Sequence, residues 1–119
     1  CVNAAIQYGA IAALDGPDKP INLMMEKFSK RRKLIFDGLN EIDGIECVMP
    51  GGGFYAFPKV INTGMNGKDF AKKCLYEAGV AIVPGTAFGK KATDYVRFSF
   101  AASQDNISKA LENIKKMLS

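Results

Sequence analysis

One segment near the carboxyl end strongly restricts how this chain can fold. Residues 95–101, Tyr-Val-Arg-Phe-Ser-Phe-Ala, alternate in polarity with a period of two, which is typical of a half-buried β-strand. One face of the predicted strand is apolar and consists of Val96, Phe98 and Phe100. The other face consists of Tyr95, Arg97 and Ser99.

The unusual residue of this strand is Arg97, a permanent cation within an aromatic and β-branched run. It must reach water, pair with a protein acid or bind an anion, because an unpaired buried charge is very unfavourable. Its planar guanidinium fits a carboxylate through two parallel hydrogen bonds. Two interpretations are therefore open: Arg97 binds a carboxylate ligand, or its face is the solvated side of an edge strand.

Three further short strands are predicted from apolar runs bounded by turn residues: Ile45–Met49, Phe54–Phe57 and Val80–Val83. The last run stops at the turn residues Pro84 and Gly85. Gly51, Gly52 and Gly53 do not form a phosphate loop, which needs a Gly-Lys-Ser/Thr ending followed by a helix. We expect them to supply unusual backbone angles and a close approach at a pocket wall.

Four helices are predicted from apolar periodicity and capping residues. They cover Cys1–Leu14, Pro20–Ile42, a segment from Asn66 or Gly67 to Glu77, and the residues after the N-cap Ser103. The apolar stripe of the third helix is Phe70, Ala71, Cys74, Leu75 and Ala78, and that of the fourth is Ile107, Leu111, Ile114 and Leu118. Mixed elements of this kind predict an α/β (α+β sandwich) class, a small mixed or antiparallel sheet packed with helices.

Composition excludes several kinds of site. The 119 residues contain no histidine, which rules out histidine bases and triads within them. Cys1, Cys47 and Cys74 lack metal-ligand spacing, so we predict no metal site and a reducing, cytoplasmic setting, with Cys74 in the core. No segment is long and apolar enough to span a membrane, and the net charge of +4 is too diffuse to indicate nucleic acid.

Several ordered motifs together resemble the carboxy-terminal part of class I/II aminotransferases, the pyridoxal-phosphate enzymes of fold type I that include aspartate aminotransferase. They are Val83–Gly89, Tyr95–Ala101, Pro50–Phe57 and Ala71–Gly79. The resemblance implies a helical segment, residues 1–41, that links from a large domain. It implies that residues 42–119 are the small C-terminal domain of such an enzyme. A start within a helical pattern at Cys1 also suggests a piece of a longer chain.

By resemblance, Arg97 binds the α-carboxylate of an amino-acid or 2-oxo-acid substrate, and Tyr55 faces the substrate pocket. The alternative for Tyr55 is a half-buried sheet tyrosine. The resemblance further implies a parent enzyme of amino-acid metabolism and biosynthesis that is cytoplasmic, homodimeric and dependent on pyridoxal 5'-phosphate. Neither a membrane nor a nucleic acid is an expected partner.

The family's lysine that binds the cofactor has no counterpart among these residues. Ser29-Lys30 and Ser108-Lys109 lie in predicted helices and lack the glycine-rich stretch that follows the family's Ser-Lys pair. We therefore predict no catalytic and no cofactor-binding residue here, and no transamination by this part alone. Residues 90–94 also lack the glycine that family members often have, which leaves the conformation of that loop open.

Two other functions remain as alternatives. Residues 95–100 loosely resemble the aromatic strand of an RNA-binding module, although Phe98 and Phe100 share the apolar face of Val96. The second alternative function is a regulatory domain that binds amino or 2-oxo acids without catalysis.

Basic residues of the second helix are predicted to form a solvated face. The alternative is that they form a patch that binds phosphate or nucleic acid.

Overall fold

Four α-helices and three short strands are found in the computed structural model, which describes residues 1–119. The helices are α1 (Ala4–Leu14), α2 (Lys19–Asn40), α3 (Gly67–Lys73) and α4 (Gln104–Leu118). The strands are β1 (Tyr55–Ala56), β2 (Val83–Pro84) and β3 (Val96–Ser99). A π-helical turn, Cys74–Ala78, continues α3, and short 3-10 turns cover Ile61–Thr63 and Gly85–Phe88. The predicted class, a small sheet packed with helices, is confirmed.

The sheet is antiparallel with the strand order β1-β3-β2, so β3 lies in the middle. Tyr55 pairs with Ser99 on one side, and Val83 pairs with Arg97 on the other. Arg97 is therefore on a central strand, and the interpretation of β3 as an edge strand is wrong. Its two faces are as predicted, because Val96, Phe98 and Phe100 are buried while Ser99 is exposed.

The strand predicted at Ile45–Met49 is reduced to one bridge, between Glu46 and Lys59. On the other side of this segment, the side chain of Asn40 at the end of α2 pairs with both backbone groups of Cys47. Its Nδ2 donates to the Cys47 carbonyl oxygen at 3.0 Å, and its Oδ1 accepts from the Cys47 N–H at 2.9 Å. The polar backbone of Cys47 is thereby satisfied without a neighbouring strand.

The other predicted strands are also shorter than expected. Within the predicted run Val80–Val83, the Val80 N–H donates to the Cys74 carbonyl oxygen and so completes the helix end instead of pairing in the sheet. The predicted strand Phe54–Phe57 narrows to Tyr55–Ala56. Pro58, which follows it, has no N–H to donate to a ladder.

Two helix starts and one helix end follow the predicted capping residues, whereas α1 begins at Ala4 instead of Cys1 and α2 covers Lys19–Asn40 instead of Pro20–Ile42. Asn66, left open with Gly67 as the N-cap of α3, takes that place: its Oδ1 accepts from the backbone N–H groups of the next turn at 3.0 Å. Ser103 Oγ accepts from the Asn106 N–H at 3.2 Å and caps α4. Gly79 ends the third helix in the left-handed region, with φ 66°.

One core of buried apolar side chains joins α2, α3, α4 and the apolar face of β3. Its largest fully buried side chains include Phe70, Phe100, Leu39 and Ile114. Helices α2 and α4 meet at Gly38, where a Cβ atom would overlap the side chain of Leu111. The predicted stripe of the third helix is wrong at Leu75, which is 49% exposed. Leu75 lies in the π-helical turn, whose periodicity departs from that of an α-helix.

The amino-terminal part of the chain has an apolar surface without a partner. Helix α1 contains no charged residue and buries none of its side chains. In α2, Ile21 and Met25 are exposed, whereas Ile35 and Leu39 reach the core. Only the carboxyl half of α2 therefore contributes buried side chains to the core. None of the helices combines the length and apolarity needed to cross a membrane.

Candidate functional site

The guanidinium group of Arg97 lies between two aromatic rings. Its Cζ is 4.2 Å from the centroid of the Tyr55 ring and 4.4 Å from that of Phe88. Tyr55 belongs to β1 and Phe88 to the turn after β2, so the rings flank β3 from opposite sides. Each ring presents its electron-rich face to the cation, which is an attractive arrangement.

No acidic side chain pairs with Arg97. The two ion pairs of the chain, Lys33–Asp37 and Lys73–Glu77, both lie within helices. The Arg97 side chain donates no hydrogen bond to a protein group, although the guanidinium carries five N–H donors. The rings attract the cation but do not satisfy those donors, so Arg97 can bind a planar anion, and a carboxylate fits best.

An aromatic surface surrounds this arginine on the solvent side of the sheet. Tyr55 and Phe57 are each 41% exposed, and Phe88 is 50% exposed. The Phe57 ring stacks on the Tyr95 ring, with centroids 5.4 Å apart and an angle of 5° between the planes. It is nearly perpendicular to the Phe88 ring, with centroids 6.0 Å apart. The sequence had indicated Arg97 and Tyr55, which the structure brings together, but not Phe57 or Phe88. Phe57 could have been found, because it lies two residues after Tyr55 on the same strand face.

The turn that carries Phe88 is fixed to the start of β3. The Gly85 N–H donates to the Tyr95 carbonyl oxygen at 2.7 Å. The segment before β3 is also held by α3, because the Gly67 N–H donates to the Thr93 carbonyl oxygen at 2.7 Å. A Cβ atom at Gly85 would overlap the carbonyl oxygens of Ala92 and Tyr95. Residues 90–94, which lack the family's glycine, form a turn in which the Ala92 N–H donates to the Gly89 carbonyl oxygen and the Tyr95 N–H donates to that of Ala92.

The three glycines of residues 51–53 border a separate groove of about 490 Å³. Its other walls are Met24, Met25, Phe28, Ser29, Arg32 and Phe54. Only Gly53 has a positive φ, 69°, and a Cβ atom at any of the three would meet nothing within 4 Å. The expected close approach is therefore absent from the described chain, whereas the unusual backbone angle is confirmed at Gly53.

The two Ser-Lys pairs do not fit a pyridoxal-phosphate site beside Arg97. The two Ser-Lys pairs place Lys30 on α2 and Lys109 on α4, and both lysines are exposed. Those helices pack on the core side, whereas Arg97 occupies the opposite face of β3. No lysine from a Ser-Lys pair is thus available beside the Arg97 guanidinium.

The aromatic residues that an RNA-binding module would expose are buried. Phe98 is 4% exposed and Phe100 is fully buried, so neither ring can stack on a base. Among the basic residues of α2, Lys27, Lys30 and Lys33 are exposed, as predicted for a solvated face, and the Arg31 Cζ lies 5.3 Å from the ring centroid of Phe28 in the same helix.

The two buried thiols are expected to be unreactive in the folded protein. Burial raises the pKa of Cys47, and it raises the pKa of Cys74 to about 12, with Lys73 acting weakly in the opposite direction. At pH 8 the Cys74 thiolate is therefore much scarcer than for a thiol with its ordinary pKa near 9.0. Alkylation with iodoacetamide, read by peptide mass spectrometry, should modify both cysteines at least tenfold more slowly than in urea.

The raised pKa of Cys74 predicts the direction in which stability changes with pH. Because the unfolded thiol ionises from about pH 9 while folded Cys74 stays protonated, the free energy of unfolding should fall as the pH rises from 9 towards 12. Equal alkylation rates in the folded and the unfolded protein would contradict the burial of these thiols.

Comparison with known proteins identifies the family. The profile described as "Aminotransferase class I and II" matches residues 1–114. The chain is 40% identical to an aspartate aminotransferase of Pyrococcus abyssi over 99% of its own length and 31% of that protein. It superimposes with a TM-score of 0.90 on the aromatic aminotransferase of Pyrococcus horikoshii, at 41% identity, covering 95% of this chain and 31% of that one.

A third relative is the aspartate aminotransferase of Thermus thermophilus crystallised with maleate. It superimposes with a TM-score of 0.73 at 36% identity, covering 82% of this chain and 24% of that one. The chain therefore spans less than a third of the length of these relatives. Since the family profile covers nearly all of its residues, the chain belongs to the class I and II aminotransferases.

Proposed function

We propose that the whole protein containing these residues is a pyridoxal-phosphate-dependent aminotransferase that transfers an amino group between an amino acid and a 2-oxo acid. Within it, Arg97 binds the α-carboxylate of the substrate. The observation that carries this proposal is the Arg97 guanidinium, which has no acidic partner among these residues and lies between the rings of Tyr55 and Phe88. The maleate complex of the Thermus thermophilus relative supports a carboxylate as the ligand class.

Arg97 would act by binding and orienting the substrate. Two parallel N–H groups of the guanidinium donate to the two carboxylate oxygens, which fixes the direction of the bond from the carboxylate to Cα. The partly exposed ring of Tyr55 would border the substrate beside this anchor. Both α-amino and 2-oxo acids carry the same carboxylate, so one arginine serves both substrates.

We propose that pyridoxal phosphate is held by parts of the whole protein outside these residues. When bound, the cofactor supplies an electron sink for negative charge at the substrate's Cα. Neither Lys30 nor Lys109, the lysines of the two Ser-Lys pairs, lies on the face of β3 that carries Arg97. The 119 residues alone would therefore bind a carboxylate without catalysing transfer of the amino group.

The uncharged α1 and the exposed apolar residues of α2 support a partner for this end of the chain. We propose that the large domain covers them, as the division into a linking segment 1–41 and a small domain 42–119 requires. We also propose that the whole protein is a homodimer and that it is located in the cytoplasm.

The function is tested by titrating the whole protein and the 119-residue chain with pyridoxal phosphate and following absorbance. Borohydride trapping and peptide mapping then locate the modified lysine. We expect the whole protein to trap the cofactor on one lysine outside these residues, and the 119-residue chain to trap none specifically. Stoichiometric trapping on Lys30, Lys109 or another lysine of this chain would contradict the proposed division. Carboxylate binding without any trapping in the whole protein would indicate the regulatory alternative.

A further inference from the structure

We propose that Phe88 is a positioning residue for Arg97, which acts with Tyr55 to hold the guanidinium so that its N–H edge stays free for the substrate carboxylate. The inference rests on the proposed function, because it concerns how that carboxylate site is built. It assigns a role to a residue that lies outside any strand and that the sequence pattern did not indicate.

The first support is the distance of the cation from the two rings. Cζ of Arg97 lies 4.4 Å from the Phe88 centroid and 4.2 Å from the Tyr55 centroid, both well inside the range of a cation–π contact. The rings come from opposite sides of β3, so together they restrict sideways movement of the arginine side chain. They use no N–H donor of the guanidinium, whereas a carboxylate partner from the protein would occupy the same donors as the substrate.

The second support is the position of Phe88 itself. It is 50% exposed and is absent from the core formed by these residues, so its contacts here are with the Arg97 guanidinium and with Phe57. The ring is nevertheless held in place, because Phe57 contacts it at 6.0 Å and is in turn stacked on Tyr95 of the strand segment that carries Arg97. The hydrogen bond from Gly85 to Tyr95 fixes the beginning of the turn to the same segment.

The energetic consequence follows from the flexibility of arginine. An unrestrained arginine side chain loses considerable rotamer freedom when it binds a ligand in one geometry. Rings that hold the guanidinium beforehand reduce that loss, and the substrate then binds more tightly. Loss of one ring should therefore weaken substrate binding more than it slows the chemical steps.

The test compares Phe88→Leu with Phe88→Tyr in the whole protein. Leucine keeps an apolar side chain but has no aromatic face, whereas tyrosine keeps the face. We expect Phe88→Leu to raise KM for the amino-acid substrate about 3- to 10-fold with little change in kcat, and Phe88→Tyr to stay within about twofold of the unmodified protein. Tyr55→Leu, which removes the opposite ring, should have an effect of the same kind and provides a second test.

A measurement that does not need activity accompanies the kinetics. In protein with isotope-labelled arginine, ring currents should displace the NMR signals of the Arg97 side chain, and Phe88→Leu should move them towards ordinary values. A thermal unfolding curve confirms that each variant is folded.

Two negative results are distinguishable. If Arg97→Ala raises KM strongly but Phe88→Leu and Tyr55→Leu leave both KM and the Arg97 signals unchanged, the positioning role is wrong and the carboxylate role stands. If Arg97→Ala leaves KM unchanged, the carboxylate role fails, and the positioning role fails with it.

Discussion

Substitution of Arg97 by lysine is expected to lower kcat/KM of the whole protein for amino-acid donors by about 10- to 100-fold. Lysine keeps the positive charge but loses the planar pair of N–H donors that matches a carboxylate. The compact ammonium of lysine also lacks the planar shape of the guanidinium that lies between Tyr55 and Phe88. Steady-state kinetics with several amino donors would measure the change, and Arg97→Ala should have a larger effect.

The chain offers a matched control for this substitution. Arg31 also lies over an aromatic ring, that of Phe28 at 5.3 Å, but it belongs to α2 and not to the Arg97 surface. Arg31→Lys should therefore leave kcat/KM within about twofold. Because Arg97 is outside the buried core, Arg97→Lys should hardly change the unfolding temperature. Unchanged kcat/KM in Arg97→Lys would exclude the bidentate carboxylate role.

Replacement of Gly85 by alanine is expected to destabilise the protein by about 3 kcal/mol or more. The added Cβ would overlap the carbonyl oxygens of Ala92 and Tyr95, the latter at 2.7 Å. Both are backbone atoms and cannot rotate away, so the turn must move and the hydrogen bond from Gly85 to Tyr95 must weaken. Urea or thermal unfolding would measure the loss.

Gly52→Ala is the matched control for Gly85→Ala. A Cβ atom at Gly52 meets nothing within 4 Å, and its φ is not positive, so alanine fits there without strain. We expect no loss of stability, and a gain of up to about 1 kcal/mol, because alanine reduces the freedom of the unfolded chain. Equal stabilities of the two variants would show that the close packing at Gly85 is not required.

Much of the fold follows from local rules that the sequence displays. The alternation of Val96, Phe98 and Phe100 identifies the buried face of β3, and Ser103 and Asn66 fix the helix starts through their own side-chain oxygens. These features depend on residues a few positions apart, which explains why the pattern reveals them.

The errors arise where tertiary contacts decide the outcome. The apolar run Ile45–Met49 indicates a strand, but it does not show that the pairing is limited to one bridge between Glu46 and Lys59. Periodicity likewise shows that Ile21 and Met25 share a stripe with Ile35, but not which part of that stripe a neighbouring element covers.

The candidate site was predicted only in part for the same reason. Arg97 stands out because a charge interrupts an apolar strand, and the family motif indicates Tyr55. Phe88 reaches the guanidinium only through the turn after β2, so its contact depends on tertiary structure.

The central position of β3 has a consequence for how the arginine can move. Strands pair with β3 on both sides, and the Phe100 N–H donates to the Phe54 carbonyl oxygen just beyond its end. The backbone of Arg97 therefore cannot shift without breaking pairings on both flanks. Any large shift of that backbone must carry the two neighbouring strands with it. Without such a shift, the guanidinium can move only by rotation about the bonds of its own side chain.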